Sequence, residues 1–424
     1  MALVIYNAAI LALLPVLVLA LIWHTWVSGR LRSSWLFHLT WRLPAIPEGT
    51  PLVWLHAASV GETRAIEGLV LKLRTRNPGL QLLMTHTSPT GHALARSLGL
   101  ADHYTFLPFD FPGLPGRFID RVRPRALILA ETEIWPNLLQ ACRSRGVPVV
   151  IVNGRLSSRW EPFYMRLCWL YRQFLDPVEL FLMQGEEDAT RLLALGVPGE
   201  RVKVAGDLKA DRTLQVAQAE DRGNVARELG LVGPVLVAGS VHSGEHLTVI
   251  GSFARLKKEI PELKLVLAPR HMDRLAVMRR TLDELGLGHR LRSAHKTIGA
   301  ESVLILDTIG ELASTYLAAR VAFVGGSLVG AGGHSLFEPA ACACPILIGP
   351  NDQNFREESR ALREAGAAVR VENEDQFCEQ ARLWLTDEAA VRRAGEAARR
   401  VAISLAGATD RVLDALEPLL RGRR

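Results

Sequence analysis

Cysteine is scarce in this 424-residue chain: Cys142, Cys168, Cys342, Cys344 and Cys378, odd in number and scattered. That speaks against a disulfide-stapled secreted fold and against a cysteine-ligated metal centre, and the five read as reduced packing residues of a cytosolic compartment. Dense Lys/Arg blocks and interleaved basic and aromatic residues are missing, so nucleic acid is not an expected partner. Short repeats and low-complexity segments are also missing. Charge is absent from the whole of the first 29 residues, and the first charged side chain is Arg30.

What is present is a globular composition, 49% hydrophobic and 22% charged. The length suits two or three domains rather than one core. The formal net charge is 50 − 44 = +6. Such a mildly basic balance suits acidic substrates or an anionic lipid surface. The run from Leu3 to Val27 is uncharged and long enough to cross a bilayer at about 20 residues per span. It lacks the basic start of a signal peptide. Arg30, Arg32 and Arg42 follow, with no acid before Glu48; Trp23 and Trp26 close the run and Trp35 and Trp41 come after it. Positive charge and tryptophans at and after the end of an apolar segment predict an N-terminal membrane anchor over 1–29, spanning or lying in the interface, with a buried core helix left as the alternative by Asn7 and Pro15. The stretch 30–49 then forms a juxtamembrane linker on the cytoplasmic side.

Beyond that linker, apolar runs alternate with helix-length stretches. "PLVWLHA", "QLLMTHT", "HYTFLP", "ALILAET", "PVVIVNG", "LFLMQG" and "VKVAGD" read as strands of one half. "PVLVAGS", "LKLVLAP", "SVLILD", "VAFVGGS", "PILIGP" and "AAVRV" read as strands of the other. Continuous apolar strands between helices predict parallel sheets covered on both faces. The fold class is therefore α/β with two Rossmann-like domains, 50–212 and 213–424, the last helices free to pack back on the first. Ligands of such sheets bind at the carboxyl ends of the strands, so a cleft between the two domains is the expected site.

The residues after those strands carry the chemistry. "WLHAASVGET" delivers Ser59, Gly61 and Glu62 at a strand-to-helix turn, where Gly61 allows close approach. Spacing leaves Glu62 with two roles, helix start or proton acceptor. "ILAETEIWPN" places Glu131 and Glu133 after the fourth strand, and "NGRLS" adds Asn153, Arg155 and Ser157. "HTSPTGH" adds Thr87 and Ser88, with His86 and His92 read as turn and surface residues rather than metal ligands. In the second half, "AGSVHSGEH" offers Ser240, His242, Ser243, Gly244 and Glu245 at a helix start, an expected anion nest. "LAPRH" puts Arg270 at a strand tip, suited to fork onto a phosphate or carboxylate. "VAFVGGSLVGAGGHSLFEPA" holds Gly325, Gly326, Gly330, Gly332 and Gly333 within nine residues, able to wrap phosphate or ribose. It is neither a dinucleotide fingerprint nor a Walker loop. Glu338 is placed to accept from sugar hydroxyls, and "NDQNFREESR" supplies Asn354 and Glu358. Together these residues point to a nucleotide on the second domain faced by acids of the first.

The motifs "ASVGET", "ETEIWPN", "N-x-RLS", "S-x-H-x-GE", "PRH", "DTIGEL", "FVGGSL" and "GGH…EPA", in this order, make the sequence resemble the bacterial 3-deoxy-D-manno-octulosonic acid (Kdo) transferases over nearly its whole length. The resemblance implies an inverting GT-B glycosyltransferase of lipid A and lipopolysaccharide biosynthesis at the inner membrane. It implies CMP-Kdo as co-substrate, the lipid A precursor (lipid IVA) as acceptor, and neither metal nor other cofactor. It further implies Glu62 as the base that deprotonates the acceptor 6′-hydroxyl and Glu131 as a second catalytic carboxylate that positions the acceptor or supports Glu62. Arg270 becomes a donor phosphate ligand, with Ser240, His242, Gly326, Gly333, Ser335, Glu338 and Asn354 around the donor. Ser59, Gly61, Arg155 and Lys209 complete the cleft. The chain departs from the family pattern at Ser335 (usually Asn), Phe337 (Leu), Asp207 (Asn) and Ala210 (an aromatic). Two other readings fit the residues less well: another GT-B enzyme, such as a lipid-linked hexosyltransferase or a nucleotide-sugar 2-epimerase, and a tethered nucleotide-binding module without catalysis.

Overall fold

The computed structural model describes residues 1–28, 38–40, 46–47, 49–156, 161–219, 221–295 and 297–421. The chain divides into two units, one of Met1–Asp211 with Gly407–Arg424 and the other of Arg212–Ala406. The expected juxtamembrane Arg30, Arg32, Arg42, Trp35 and Trp41, and Ser157, lie outside the described residues.

The first unit is built on seven parallel strands: β1 (Leu52–His56), β2 (Gln81–His86), β3 (His103–Phe106), β4 (Ala126–Ala130), β5 (Val149–Gly154), β6 (Leu180–Met183) and β7 (Val202–Val204). Their order is β3-β2-β1-β4-β5-β6-β7. Alternate residues of β1 enter opposite cores. Val53 and Leu55 pack with Ile66 and Leu69, while Leu52 and Trp54 pack with Phe118 and Leu138. A sheet covered on both faces leaves its strands no solvent side, hence the unbroken apolar runs. Each such buried side chain is worth about 1.5–3 kcal/mol. The final helix, Ala408–Leu420, sends Val412, Leu413 and Leu416 into the core of this first unit.

The second unit repeats the plan with β8 (Val235–Val241), β9 (Lys264–Pro269), β10 (His289–Leu291), β11 (Val303–Ile305), β12 (Val321–Val324), β13 (Ile346–Ile348) and β14 (Ala368–Arg370), in the order β10-β11-β9-β8-β12-β13-β14. The sequence pattern missed β10. It is an edge strand of three half-buried residues, "HRL", with no apolar run to mark it.

In each sheet the strand order reverses beside the first strand, between β1 and β4 and between β8 and β12. Those switch points open a crevice at the strands' carboxyl ends. Glu62 follows β1 and Glu131 follows β4; His242 follows β8 and Gly326 follows β12.

The N-terminal run is helical over Ala2–Ser28. A spanning anchor is nevertheless not supported: among the described residues no helix is long and apolar enough to cross a membrane. The start of the helix is also committed elsewhere by polar contacts. The Ala2 amide donates to Gln173 Oε1 at 3.2 Å, Tyr6 donates its hydroxyl to Asp110 at 3.0 Å, and Asn137 Nδ2 donates to Asn7 at 2.7 Å.

Candidate active site

At the end of β1, Ser59 caps the helix Val60–Arg76 and accepts the Glu62 amide at 3.4 Å. The Glu62 carboxylate reaches back, Oε2 to the Ala58 amide at 2.6 Å and Oε1 to the Ser59 hydroxyl at 2.9 Å. This reciprocal cap is a direct consequence of the Ser-x-x-Glu spacing. It also buries the acid to 9% exposure. Burial pushes the carboxyl up to about 7; the Ala58 amide and Ser59 hydroxyl oppose this, and the charges of Glu133 and Glu131 add to it. Glu62 therefore starts the helix and also has a proton affinity matched to neutral pH. A carboxylate offers about four lone-pair sites, so two bonds leave room for a further donor. Next to it, a side chain at Gly61 would meet only Ser59 Oγ, at 3.7 Å. The protein's own packing does not demand glycine there.

Glu131 sits in the left-handed region at φ 57, as does Asn153 at φ 55. Non-glycine residues rarely adopt that backbone, and such strain gathers at functional sites. Asn153 falls where the pairing of β5 with β6 shifts register, and its Oδ1 accepts the Leu208 amide at 2.9 Å. That bond fixes the start of the helix Leu208–Ala219, whose next residue, Lys209, places Nζ 3.0 Å from Glu131 Oε1. Glu133 accepts from the Trp135 indole at 2.8 Å, and burial raises its carboxyl. Its Oε2 lies 4.0 Å from Nε2 of the fully buried His56. Arg155 is exposed, its backbone held by a reciprocal pair of bonds with Thr132.

In the second unit, Ser240 is left-handed at φ 53, within a register shift between β8 and β9. Its carbonyl presses so close to Gly325 that any Cβ there would collide with it. Gly326 needs its glycine too, at φ 73. Glu245 opens the next helix, Glu245–Glu259, and is only 1% exposed. Its carboxylate accepts the amides of His242 at 2.9 Å, Gly326 at 2.7 Å and Leu328 at 2.8 Å. Of the expected anion nest the His242 amide is thus already taken from within, and the Gly326 amide is not free for a ligand.

His242 and His334 face each other with Nε2 atoms 2.9 Å apart, and the His271 ring stands edge-on to His242 with centroids 5.4 Å apart. The exposed Arg270 follows β9, and its guanidinium has no hydrogen-bond or salt-bridge partner among the described residues. Gly333, at φ 80, donates its amide to the Gly326 carbonyl. Ser335 donates to Glu358 at 3.3 Å and Asn354 to the Ala331 carbonyl at 3.1 Å, so both brace loops. Glu338 is half-buried, its carboxyl raised by burial. Among the described residues, no group of three or more His, Cys, Asp or Glu could hold a metal ion. All five cysteines are free.

Residues 35–212 match the family model of the 3-deoxy-D-manno-octulosonic-acid transferase (kdotransferase). A 3-deoxy-D-manno-octulosonic acid transferase of Bordetella pertussis is 37% identical over 393 residues, 89% of each chain. The chain belongs to the Kdo transferase family. A second relative of the same name, from Haemophilus influenzae, is 32% identical over 377 residues, 88% of each chain. The chain is therefore a glycosyltransferase enzyme. The UDP-GlcNAc 2-epimerase of Neisseria meningitidis bound to UDP-GlcNAc superposes with TM-score 0.63 over 87% of this chain and 100% of that one. At 13% identity that likeness concerns the fold alone, which is GT-B-like.

Within this Kdo transferase fold the sequence-derived residues gather in two groups, one per unit. Glu62, Glu131 and Lys209 sit with Ser59, Gly61 and Arg155 around the ends of β1, β4 and β5. Ser240, His242 and Arg270 join the glycine loop around the ends of β8, β9 and β12. Sequence reasoning placed His271 beside Arg270 at the strand tip but gave it no role; it missed Glu245 as the tie between two loops, and missed His334, although "GGH" carries it. It also misplaced His86. That residue is fully buried, and neither ring nitrogen has a partner among the described residues.

Proposed function

We propose that this enzyme moves Kdo from CMP-Kdo to the 6′-hydroxyl of the lipid A precursor with inversion, Glu62 acting as general base. The observation that carries the reading is a buried carboxylate at a switch point with its proton affinity near 7. The acceptor hydroxyl gives its proton to Glu62, and the oxygen forms a bond to the anomeric carbon of Kdo. The bond from that carbon to the phosphate oxygen breaks, and CMP leaves with the electron pair. A positioned base contributes about 10²–10⁴-fold. Glu131, held by Lys209, orients the acceptor. CMP-Kdo is a co-substrate, and the reading calls for no resident cofactor or metal. Donor contacts fall to Arg270, His242, Gly333 and Glu338.

A lipid acceptor places the enzyme at the cytoplasmic face of the inner membrane, against anionic lipid. Exposed Val4, Ile5, Leu11 and Leu13 on the N-terminal helix support that placement, as do Phe163, Met165 and Trp169. Sedimentation with anionic phospholipid vesicles tests it.

The deciding experiment incubates purified protein with freshly generated CMP-Kdo and tetra-acylated lipid A precursor, wild type beside Glu62→Gln, and reads products by mass spectrometry. Kdo addition by wild type and its near-complete loss in a folded variant are expected. An inert wild type sinks the donor–acceptor pair. An active Glu62→Gln leaves Glu62 as a helix cap only, and Glu131 becomes the base to test.

A further inference from the structure

An anion bound between β8 and β12 would ordinarily be cradled by backbone amides at a helix start. Here the His242 amide, just before the helix Glu245–Glu259, and the Gly326 and Leu328 amides of the loop after β12 all donate to Glu245, which is buried inside the fold. An anion at this point loses those three donors, and side chains offer it others. The side chains that converge there are Arg270 and His271 after β9, His242 after β8 and His334 from the glycine loop.

The His242–His334 pair has a specific chemistry. With Nε2 atoms 2.9 Å apart and rings nearly parallel at 25°, one imidazole donates its N–H to the lone pair of the other. Only one proton fits between the two nitrogens; a second would set two N–H groups head to head. The charged and titratable groups around the pair are Arg270, His271 and Glu245. Burial, Arg270 and His271 hold the two rings neutral: His334, which also feels His242, is pushed down to about 4, and His242 is lowered against the pull of Glu245.

We propose that His242 and His334 form a proton-linked phosphate site: a phosphate entering beside Arg270 separates the two nitrogens, and the pair takes up a second proton so that each ring donates to a phosphate oxygen. The proposal rests on the donor reading above and adds a role in the reaction. Cleavage of the sugar–phosphate bond converts a singly charged phosphodiester into a monoester able to carry a second negative charge. A protonated pair opposes that charge as it forms, lowering the barrier to CMP departure.

The test uses CMP, with cytidine as the control that lacks phosphate. Titration calorimetry at pH 7.5 in buffers of different ionisation enthalpy counts protons taken up on binding. Uptake of up to about one proton per CMP is expected for wild type and none for cytidine. His242→Gln and His334→Gln each retain an amide donor, so both should still bind CMP, about tenfold or more weakly, with the uptake abolished. Thermal melting identifies any variant that fails to fold, and the other variant then decides. CMP binding without proton uptake, or uptake unchanged in a folded variant, overturns the proposal while leaving the donor reading intact. Failure of wild type to bind CMP overturns both.

Discussion

Lys209 Nζ lies 3.0 Å from Glu131 Oε1, joining the helix Leu208–Ala219 to the end of β4. Both partners are partly exposed, so the pair is worth only about 0–1 kcal/mol to stability. Its importance is electrical, because the charge of Glu131 is one of the influences that raises Glu62. Lys209→Met should barely move the melting temperature. It should shift the alkaline-rising limb of the rate profile to higher pH, and Glu131→Gln should shift it to lower pH. Initial rates from pH 5 to 9 check both directions.

Glu62 itself carries a stability cost with a definite sign. Its carboxyl goes from about 4.5 in the unfolded chain to about 7 in the fold, so the folded state holds the proton more tightly. Stability is then highest below about 4.5 and falls as pH rises to about 7. Glu62→Gln removes the charge and should melt higher than wild type at pH 8, by roughly 1–3 kcal/mol. The advantage should shrink at pH 5. Melting curves at the two pH values decide it, and an equal gain at both would be the wrong outcome.

His86 behaves in the opposite way. Burial, His92 and His56 push it down to about 3, so it stays neutral when folded while the unfolded side chain titrates near 6.5. The unfolded chain takes up more protons between those values, and stability drops as pH falls below about 6.5. With both ring nitrogens unpartnered among the described residues, His86→Leu should stabilise by about 1–3 kcal/mol. The gain should be larger at pH 5 than at pH 8 in urea titrations.

Glu245 accepts three amides from two loops. Glu245→Ala leaves those donors buried and unmatched, at a cost of about 2–4 kcal/mol. It should also weaken CMP binding at least tenfold without touching the nucleotide. Urea titration and calorimetry measure the two effects, and intact CMP affinity in the folded variant would count against the positioning role.

The strands were legible because sheets covered on both faces leave unbroken apolar runs, as in "LVWLH". β10 was not, being too short and too polar to carry that mark. Glu62, Glu131 and Arg270 were legible from their places just after strands. The work of Glu245 was not, because Gly326 lies 81 positions further along the chain and only the topology brings its amide to that carboxylate. In the N-terminal run Asn7 hinted at packing against protein, but the partners Asp110 and Asn137 were not legible, lying more than 100 positions away.

The first unit needs the helix Ala408–Leu420 to complete its core, since Val412, Leu413 and Leu416 pack beside Val53 and Leu69. The ribosome makes that helix only after the whole of Arg212–Ala406 has emerged. During synthesis the second unit can therefore reach its native state while the first still waits with part of its apolar surface uncovered. The unit that comes first in the chain is the last to be finished.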